Sequence, residues 1–280
     1  MNRLRGFAAV IVSALAFGVS TSVVKDAMNL GLEPLAFSVA SMLFVVAFML
    51  PYFLTLKRKK PTRNDWRDFV VLGVVASGFA HFAYTVALDY TSAINFSFLT
   101  QTGVLFTLVF AFFMLGERLK KWQLAAGAVM LGGAFLVSTG GESLSLGLGD
   151  LIVIGGSLLL GFSNALAKRL MKRHTPGAIA FWRSLFGLAS LSLVAVVLRL
   201  DVLGMIGWHS ALNGLMIALI FVFIYIAFDE LGASLGAVLM LAGPVCAVAM
   251  AVFFLGEPLL LVQAAGGILI LLGAVVIYRS

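Results

Sequence analysis

The chain reads as an all-α membrane protein of ten transmembrane helices, arranged as two five-helix repeats of inverted topology. Three observations carry that reading. First, 62% of the 280 residues are hydrophobic and only 11% are charged, with a mean hydropathy of +1.10. That balance leaves too little polar surface for a water-soluble domain. Second, apolar runs recur along the whole chain. At about 18 residues or more, each can cross a hydrocarbon core of about 30 Å. The alternation in pieces of about 10 residues that marks a β-barrel is missing. Third, the chain repeats itself. Shifted by 140 positions, Leu88–Val137 falls on Phe228–Ile277 without a gap, and 16 of 50 positions are identical. Apolar composition inflates matches among Leu and Ala. It does not place Asp89/Asp229, Leu-Gly-Glu at 115–117 and 255–257, Gln123/Gln263, Gly127/Gly267 and Gly133/Gly273 in register. The shift is half the chain, so 1–140 and 141–280 read as homologous repeats.

Spans are expected at 7–25, 34–56, 69–88, 92–115, 122–139, 149–168, 176–198, 211–229, 233–255 and 260–278. Span 1 is long enough to stay in the membrane and no small-residue cleavage pattern follows it, so no cleavable signal is expected. Span 2 leads into the longest connection, Lys57 to Asp68, a charged loop holding Pro61.

Span 3 carries Ser77, His81, Tyr84 and Thr85 at i, i+4, i+7 and i+8, one polar stripe. All twelve acidic residues fall at or near helix ends, which leaves His81 as the deeply placed group that titrates near neutral pH. Polar groups at bilayer depth are costly and are therefore functional candidates. The stripe reads as the wall of a substrate cavity; the alternative is hydrogen bonding between packed helices. Span 4 puts Asn95, Phe98 and Thr102 on one face, with Gln101 beside it. An amide in hydrocarbon needs partners, so Gln101 points into a bundle or a cavity.

Ala128 and Gly132 in span 5 and Gly266, Gly267, Gly273 and Ala274 in span 10 are small enough for close helix approach. Span 6 repeats Ser157, Gly161, Asn164 and Lys168 along one face, with Lys168 free to snorkel to the membrane edge. In span 7, Arg183 lies about two turns in and reads as shallow. Trp182 and Tyr225 (span 8) are weaker candidates, because aromatic residues near span ends commonly form interfacial belts. Pro244 falls near the middle of span 9, beside Gly243, whose copy in span 4 is Gly103. It is expected to bend the helix, as a static kink or as a gate hinge. Glu117 and Glu257, just past spans 4 and 9, suit cap and turn roles. Cys246 is the single cysteine, so no disulfide forms within the chain.

If the N-terminus is cytoplasmic, 16 of the 19 Lys and Arg fall inside, in the loops after spans 2, 4 and 6 and at the two termini. Lys25 and Arg199 fall outside. Both termini are therefore expected in the cytoplasm of a bacterial-type cell, with the chain in the inner membrane. The net charge of +7 follows from this loop asymmetry and does not imply nucleic acid. Each half holds five spans, an odd number, so the second half enters the membrane upside down. That is a recurring plan of secondary transporters, with the site near the midplane between the halves.

The pattern Phe-Met-Leu-Gly-Glu (113–117) with Gln123, Gly127 and Gly133, and its copy Phe-Phe-Leu-Gly-Glu (253–257) with Gln263, Gly267 and Gly273, resembles the ten-helix EamA-type members of the drug/metabolite transporter superfamily. Gly18, Ser20 and Lys25 match Gly161, Ser163 and Lys168 in the same sense. The resemblance implies alternating-access export of amino acids or other small metabolites; relatives carry nucleotide sugars. Similar aromatic amino acid exporters are expected to line the site with His and Tyr on the third helix, which points to His81 and Tyr84. One departure stands out: Arg183 looks like the family's membrane-edge arginine, but span 2 offers Ser41 in its place. The expected substrate site is His81, Tyr84, Asn95, Phe98, Gln101, Asn164 and Tyr225, with Pro244, Gly243 and Gly103 as gate or hinge. No phosphate-binding Gly-rich Lys loop, His-Glu-x-x-His motif or Cys pair is present, so no cofactor, metal or enzymatic nucleophile is expected. The expected partners are a small-molecule substrate and the lipid bilayer, with the chain acting as a monomer. A carrier of nucleotide sugars or lipid head groups and a lipid-modifying enzyme are the rival readings.

Overall fold

The computed structural model describes residues 2–56, 59–87, 90–91, 93–142, 147–256 and 258–279. Among these, ten helices are long and apolar enough to cross a membrane. They are α1 (Arg3–Asn29), α2 (Pro34–Thr55), α3 (Arg63–Ala87), α4 (Ala93–Leu99 and Thr102–Leu115), α5 (Lys121–Thr139), α6 (Leu148–Leu170), α7 (Pro176–Val197), α8 (Trp208–Leu231), α9 (Ala233–Leu239 and Gly243–Leu255) and α10 (Leu261–Arg279). Asp89 and Glu257, paired in the repeat with Asp229 and Glu117, lie outside the described residues. Phe113, Leu151, Val196 and Leu261 point outward and are largely exposed. A hydrocarbon surround makes such a surface favourable.

α3 begins six residues before the expected 69, and its own cap explains why. The Thr62 hydroxyl accepts from Asp65 N (3.2 Å) while the Asp65 carboxylate accepts from Thr62 N (2.9 Å). This capping box satisfies two donors that a helix start would otherwise leave unpaired, and it shortens the expected 57–68 loop. A second departure is internal. α4 and α9 are each broken, at Thr100–Gln101 and at the 3₁₀ turn Met240–Ala242. These positions correspond under the 140-residue shift. Pro244 sits second in the resumed segment of α9, where a missing N–H costs little. Its counterpart Val104 follows an equivalent break, so proline is not what breaks the helix.

The packing is symmetric under a shift of five helices. α1 packs on α8 as α6 packs on α3; α1 on α9 as α6 on α4; α2 on α8 as α7 on α3. The α2–α7 and α5–α10 contacts map onto themselves. The halves thus interdigitate, with the first helix of each laid on the third and fourth of the other. Small residues make the crossings. A Cβ on Gly18 would lie 2.6 Å from the Cys246 carbonyl oxygen, and one on Gly161 would lie 2.5 Å from Phe106 Cβ, at the equivalent position. A Cβ on Gly73 would meet Arg183 O and Phe186 Cβ; one on Gly214 would meet Ser41 O and Phe44 Cβ. Arg183 and Ser41 therefore occupy equivalent places, and the arginine is present once.

α5 and α10 touch backbone to backbone, with Gly133 and Gly266 each admitting the other's carbonyl; a Cβ on either would lie 2.6 Å from it. Gly132 has open space where a Cβ would go. Gly266→Val is expected to destabilise the protein by about 1–3 kcal/mol through overpacking, while Gly132→Ala stays within about 0.5 kcal/mol of neutral. Unfolding of the two variants in detergent micelles checks the contrast.

Candidate functional site

A cavity of about 340 Å³ lies where the broken segments of α4 and α9 meet α3, α6, α7 and α8. Both breaks line it, through Thr100, Gln101 and Gly103 on one side and Met240, Gly243 and Pro244 on the other. Interrupted backbone at membrane depth is tolerated where it lines a cavity and finds hydrogen bonds there. Hydroxyls supply them. Thr102 Oγ1 donates to Leu99 O (2.6 Å), Thr100 Oγ1 to Ser97 O (2.9 Å) and Thr107 Oγ1 to Gly103 O (2.7 Å).

Arg183 is the one charged side chain among the described lining residues. It is 5% exposed. Its Nε donates to Ser77 Oγ (3.1 Å), its Nη1 to the fully buried Tyr225 Oη (2.9 Å), and its guanidinium carbon sits 4.0 Å from the Phe221 ring centroid. Ser77 comes from a π-helical stretch in α3, Gly73–Phe79, packed on α7. Arg183 forms no ion pair with a described carboxylate. Two of five guanidinium N–H groups are engaged with side-chain oxygens, so three remain for a guest.

Arg183 stands two turns into α7, as the sequence places it. Seven residues into α7 it is about 10 Å along the helix axis, and the cavity reaches that depth. Of the other sequence candidates, Tyr84, Gln101, Asn164, Gly103, Gly243 and Pro244 line the cavity. Tyr84 Oη shares a hydrogen with Ser157 Oγ (2.9 Å), and Asn164 Nδ2 donates to Thr107 Oγ1 (3.1 Å). Tyr225 stands behind Arg183 and holds it. His81, Asn95 and Phe98 fall outside the lining set. Asn95 is buried and donates to both Asp150 carboxylate oxygens at 3.1 Å, and Phe98 packs edge-on against Phe135. His81 is half-buried, one turn before Tyr84.

The Leu-Gly-Glu signature has a structural role. Gly116 ends α4 in the left-handed conformation, φ 71°, as Gly256 ends α9 at φ 67°. The Glu117 carboxylate then accepts from Ala233 N (3.0 Å) and Ser234 N (2.8 Å), capping the first segment of α9. Glu117 thus caps a helix of the other half, which sequence spacing alone does not reveal.

Ten spans, two interdigitating halves and a largely apolar chamber holding one buried arginine at paired helix breaks follow the inverted-repeat plan of secondary transporters. The chain belongs to the EamA-like transporter family, whose model matches residues 4–139 and again 147–279. It is 28% identical to an uncharacterized transporter of Archaeoglobus fulgidus, over 98% of this chain and 97% of that one. It is 23% identical to an uncharacterized transporter of Methanothermobacter thermautotrophicus, over 99% and 87%. With the uncharacterized transporter YyaM of Bacillus subtilis the identity is 25%, over 77% and 74%. A solved crystal structure shares the fold, with a TM-score of 0.77 over 99% of this chain and 97% of the other at 18% identity.

Tyr225→Phe deletes the acceptor for Arg183 Nη1 and is expected to cost about 1–3 kcal/mol, the range for stranding a buried donor. Unfolding of the variant in micelles checks it.

Proposed function

We propose that the chain exports small carboxylate-bearing metabolites, amino acids foremost, across the cytoplasmic membrane by alternating access. The observation that carries this is Arg183, a buried cation in the cavity wall with no ion-pair partner among the described residues. An arginine inside a span is costly, up to about 3 kcal/mol at a helix centre on the mildest scale, so it is a default functional-site candidate. An anionic guest supplies the missing charge. Carboxylate geometry matches the guanidinium fork, Gln101, Asn164 and Tyr84 offer neutral polar contacts, and Phe17, Phe96, Phe221 and Phe228 offer apolar surface.

Arg183 also raises the standing of phosphorylated substrates. One guanidinium neutralises one charge, and a phosphate dianion would leave its second charge facing phenyl rings. A guest with a single carboxylate therefore stands first.

In this reading the sequence halves 1–140 and 141–280 are the repeat units. Access alternates as α1, α8 and α9 shift against α6, α3 and α4, with Gly103 and Gly243–Pro244, just past the two breaks, as flexing points. The charge bias of the loops sets both termini in the cytoplasm. His81 is the group through which a proton cycle would run; without one, the substrate gradient alone drives transport.

Arg183→Met tests the reading in proteoliposomes. Counterflow of a labelled substrate is expected to fall at least tenfold, the loss of about 1.4 kcal/mol or more of binding. Unfolding is expected to stay unchanged or move upward, because a buried charge replaced by an apolar side chain of similar size is often no loss to stability. Undiminished counterflow by the variant would overturn the role of Arg183. His81→Ala separates the coupling modes: a flattened pH dependence of transport assigns proton coupling to His81, and an unaltered one removes it from the mechanism.

A further inference from the structure

A second, larger cleft lies at the membrane edge, remote in character from the central chamber. Its volume is about 540 Å³, and it is walled by the α2–α3 connection, the α6–α7 connection and the ends of α2, α7 and α8. Five basic side chains line it: Lys59 and Lys60 from one connection, Lys172, Arg173 and His174 from the other. Two of them are satisfied locally. Arg173 Nη1 lies 2.9 Å and His174 Nε2 3.2 Å from the Asp65 carboxylate. The lining acid Asp229 is engaged by Lys168, whose Nζ donates to the Asp229 carbonyl (3.0 Å) and stands 3.9 Å from its carboxylate. Lys59, Lys60 and Lys172 form no ion pair with a described carboxylate, so three ammonium groups from two separate connections meet at one concavity.

Two further features add to this charge. The N-terminus of the 22-residue α7, Thr175 and Pro176, opens into the same cleft and contributes its positive dipole end. The inner wall is aromatic: Phe53 and Trp182 line the cleft with ring centroids 5.5 Å apart, and Trp66 packs 4.6 Å from Trp182. Tyr52, against Gly177, and Trp66, against Trp182, border it and are 43% and 38% exposed. A generic basic loop explains the sign of the charge. It does not explain three unneutralised lysines converging on a cleft with an apolar flank at the membrane edge.

We propose that this cleft binds a phosphate-bearing anion, the head group of an anionic phospholipid, with its acyl chains against the exposed rings of Tyr52 and Trp66. Basic pockets between helices at a membrane edge are sites of this kind. The proposal stands independently of the transported substrate.

The test is lipid binding to the full chain in nanodiscs of phosphatidylcholine, with and without phosphatidylglycerol, scored by retention of phosphatidylglycerol in native mass spectrometry. Inorganic phosphate is the soluble arm. Wild type is expected to retain phosphatidylglycerol selectively, and each of Lys59→Gln, Lys60→Gln and Lys172→Gln to weaken retention about fivefold. Lys120→Gln/Lys121→Gln, exposed charges on another connection, should leave it unchanged. Competition by millimolar phosphate would assign the site to a soluble anion and overturn the lipid source. Equal weakening by the Lys120/Lys121 variant, or no preference for phosphatidylglycerol in wild type, would overturn the site itself. Every lysine in this set is exposed, so folding is preserved, and unfolding in phosphatidylcholine alone verifies it.

Discussion

A guanidinium held inside a membrane bundle with no carboxylate among the described residues to neutralise it is the constraint on which the rest of this molecule turns. In hydrocarbon a lone cation is unfavourable by several kcal/mol, and proteins answer with hydrogen bonds, π faces or water. Arg183 has the first two, from Ser77, Tyr225 and Phe221. Each places a demand on its own element. α3 widens into a π-helical stretch around Ser77, and α8 turns Tyr225 fully inward. The remaining N–H groups have the cavity to face, so the charge is stabilised structurally yet still able to bind an anion.

The twofold plan explains why the chamber exists at that place. Equivalent breaks in α4 and α9 bring two sets of disrupted backbone to one point, and at the α4 break threonine hydroxyls bond the backbone carbonyls. Equivalent glycines let α1 and α6 approach those helices closely. Within this symmetric frame the charge is asymmetric: Arg183 on α7 faces α3, while at the related place Ser41 accepts from Asn213 (3.0 Å), which in turn pairs with Ser20 (2.6 Å). The cation reaches the chamber wall, whereas the neutral network at the related place is buried between helices outside it, in halves that are alike in backbone.

Much of the architecture is legible in the sequence because it follows from composition and period. The repeat, the ten spans and the small-residue crossing of α5 with α10 all come from apolar run length and glycine register. Tyr84, Gln101 and Asn164 are legible as amides and a phenol at depth that require partners. What is not legible depends on local departures from α-helical period. Treating α4 as continuous puts Asn95, Phe98 and Thr102 on one face. The break at Thr100–Gln101 separates Thr102 from Asn95 and Phe98, which stay in one segment and pack on Asp150 and Phe135 outside the chamber lining. The π-helical stretch likewise sends Ser77 to α7 while Tyr84 reaches α6. Arg183 is visible in the sequence at its place two turns into α7, but counting turns from a helix end does not give the reach of a cavity.

The most direct measurement offers each candidate substrate twice, as the free acid and as its neutral carboxamide, to the wild-type protein in counterflow. The two forms have nearly the same shape and differ in the charge that a guanidinium recognises. If Arg183 is the anchor, the acids exchange and the carboxamides do not. Equal exchange of both forms would mean that the buried charge serves packing alone, and that the chamber does not select its guest by charge.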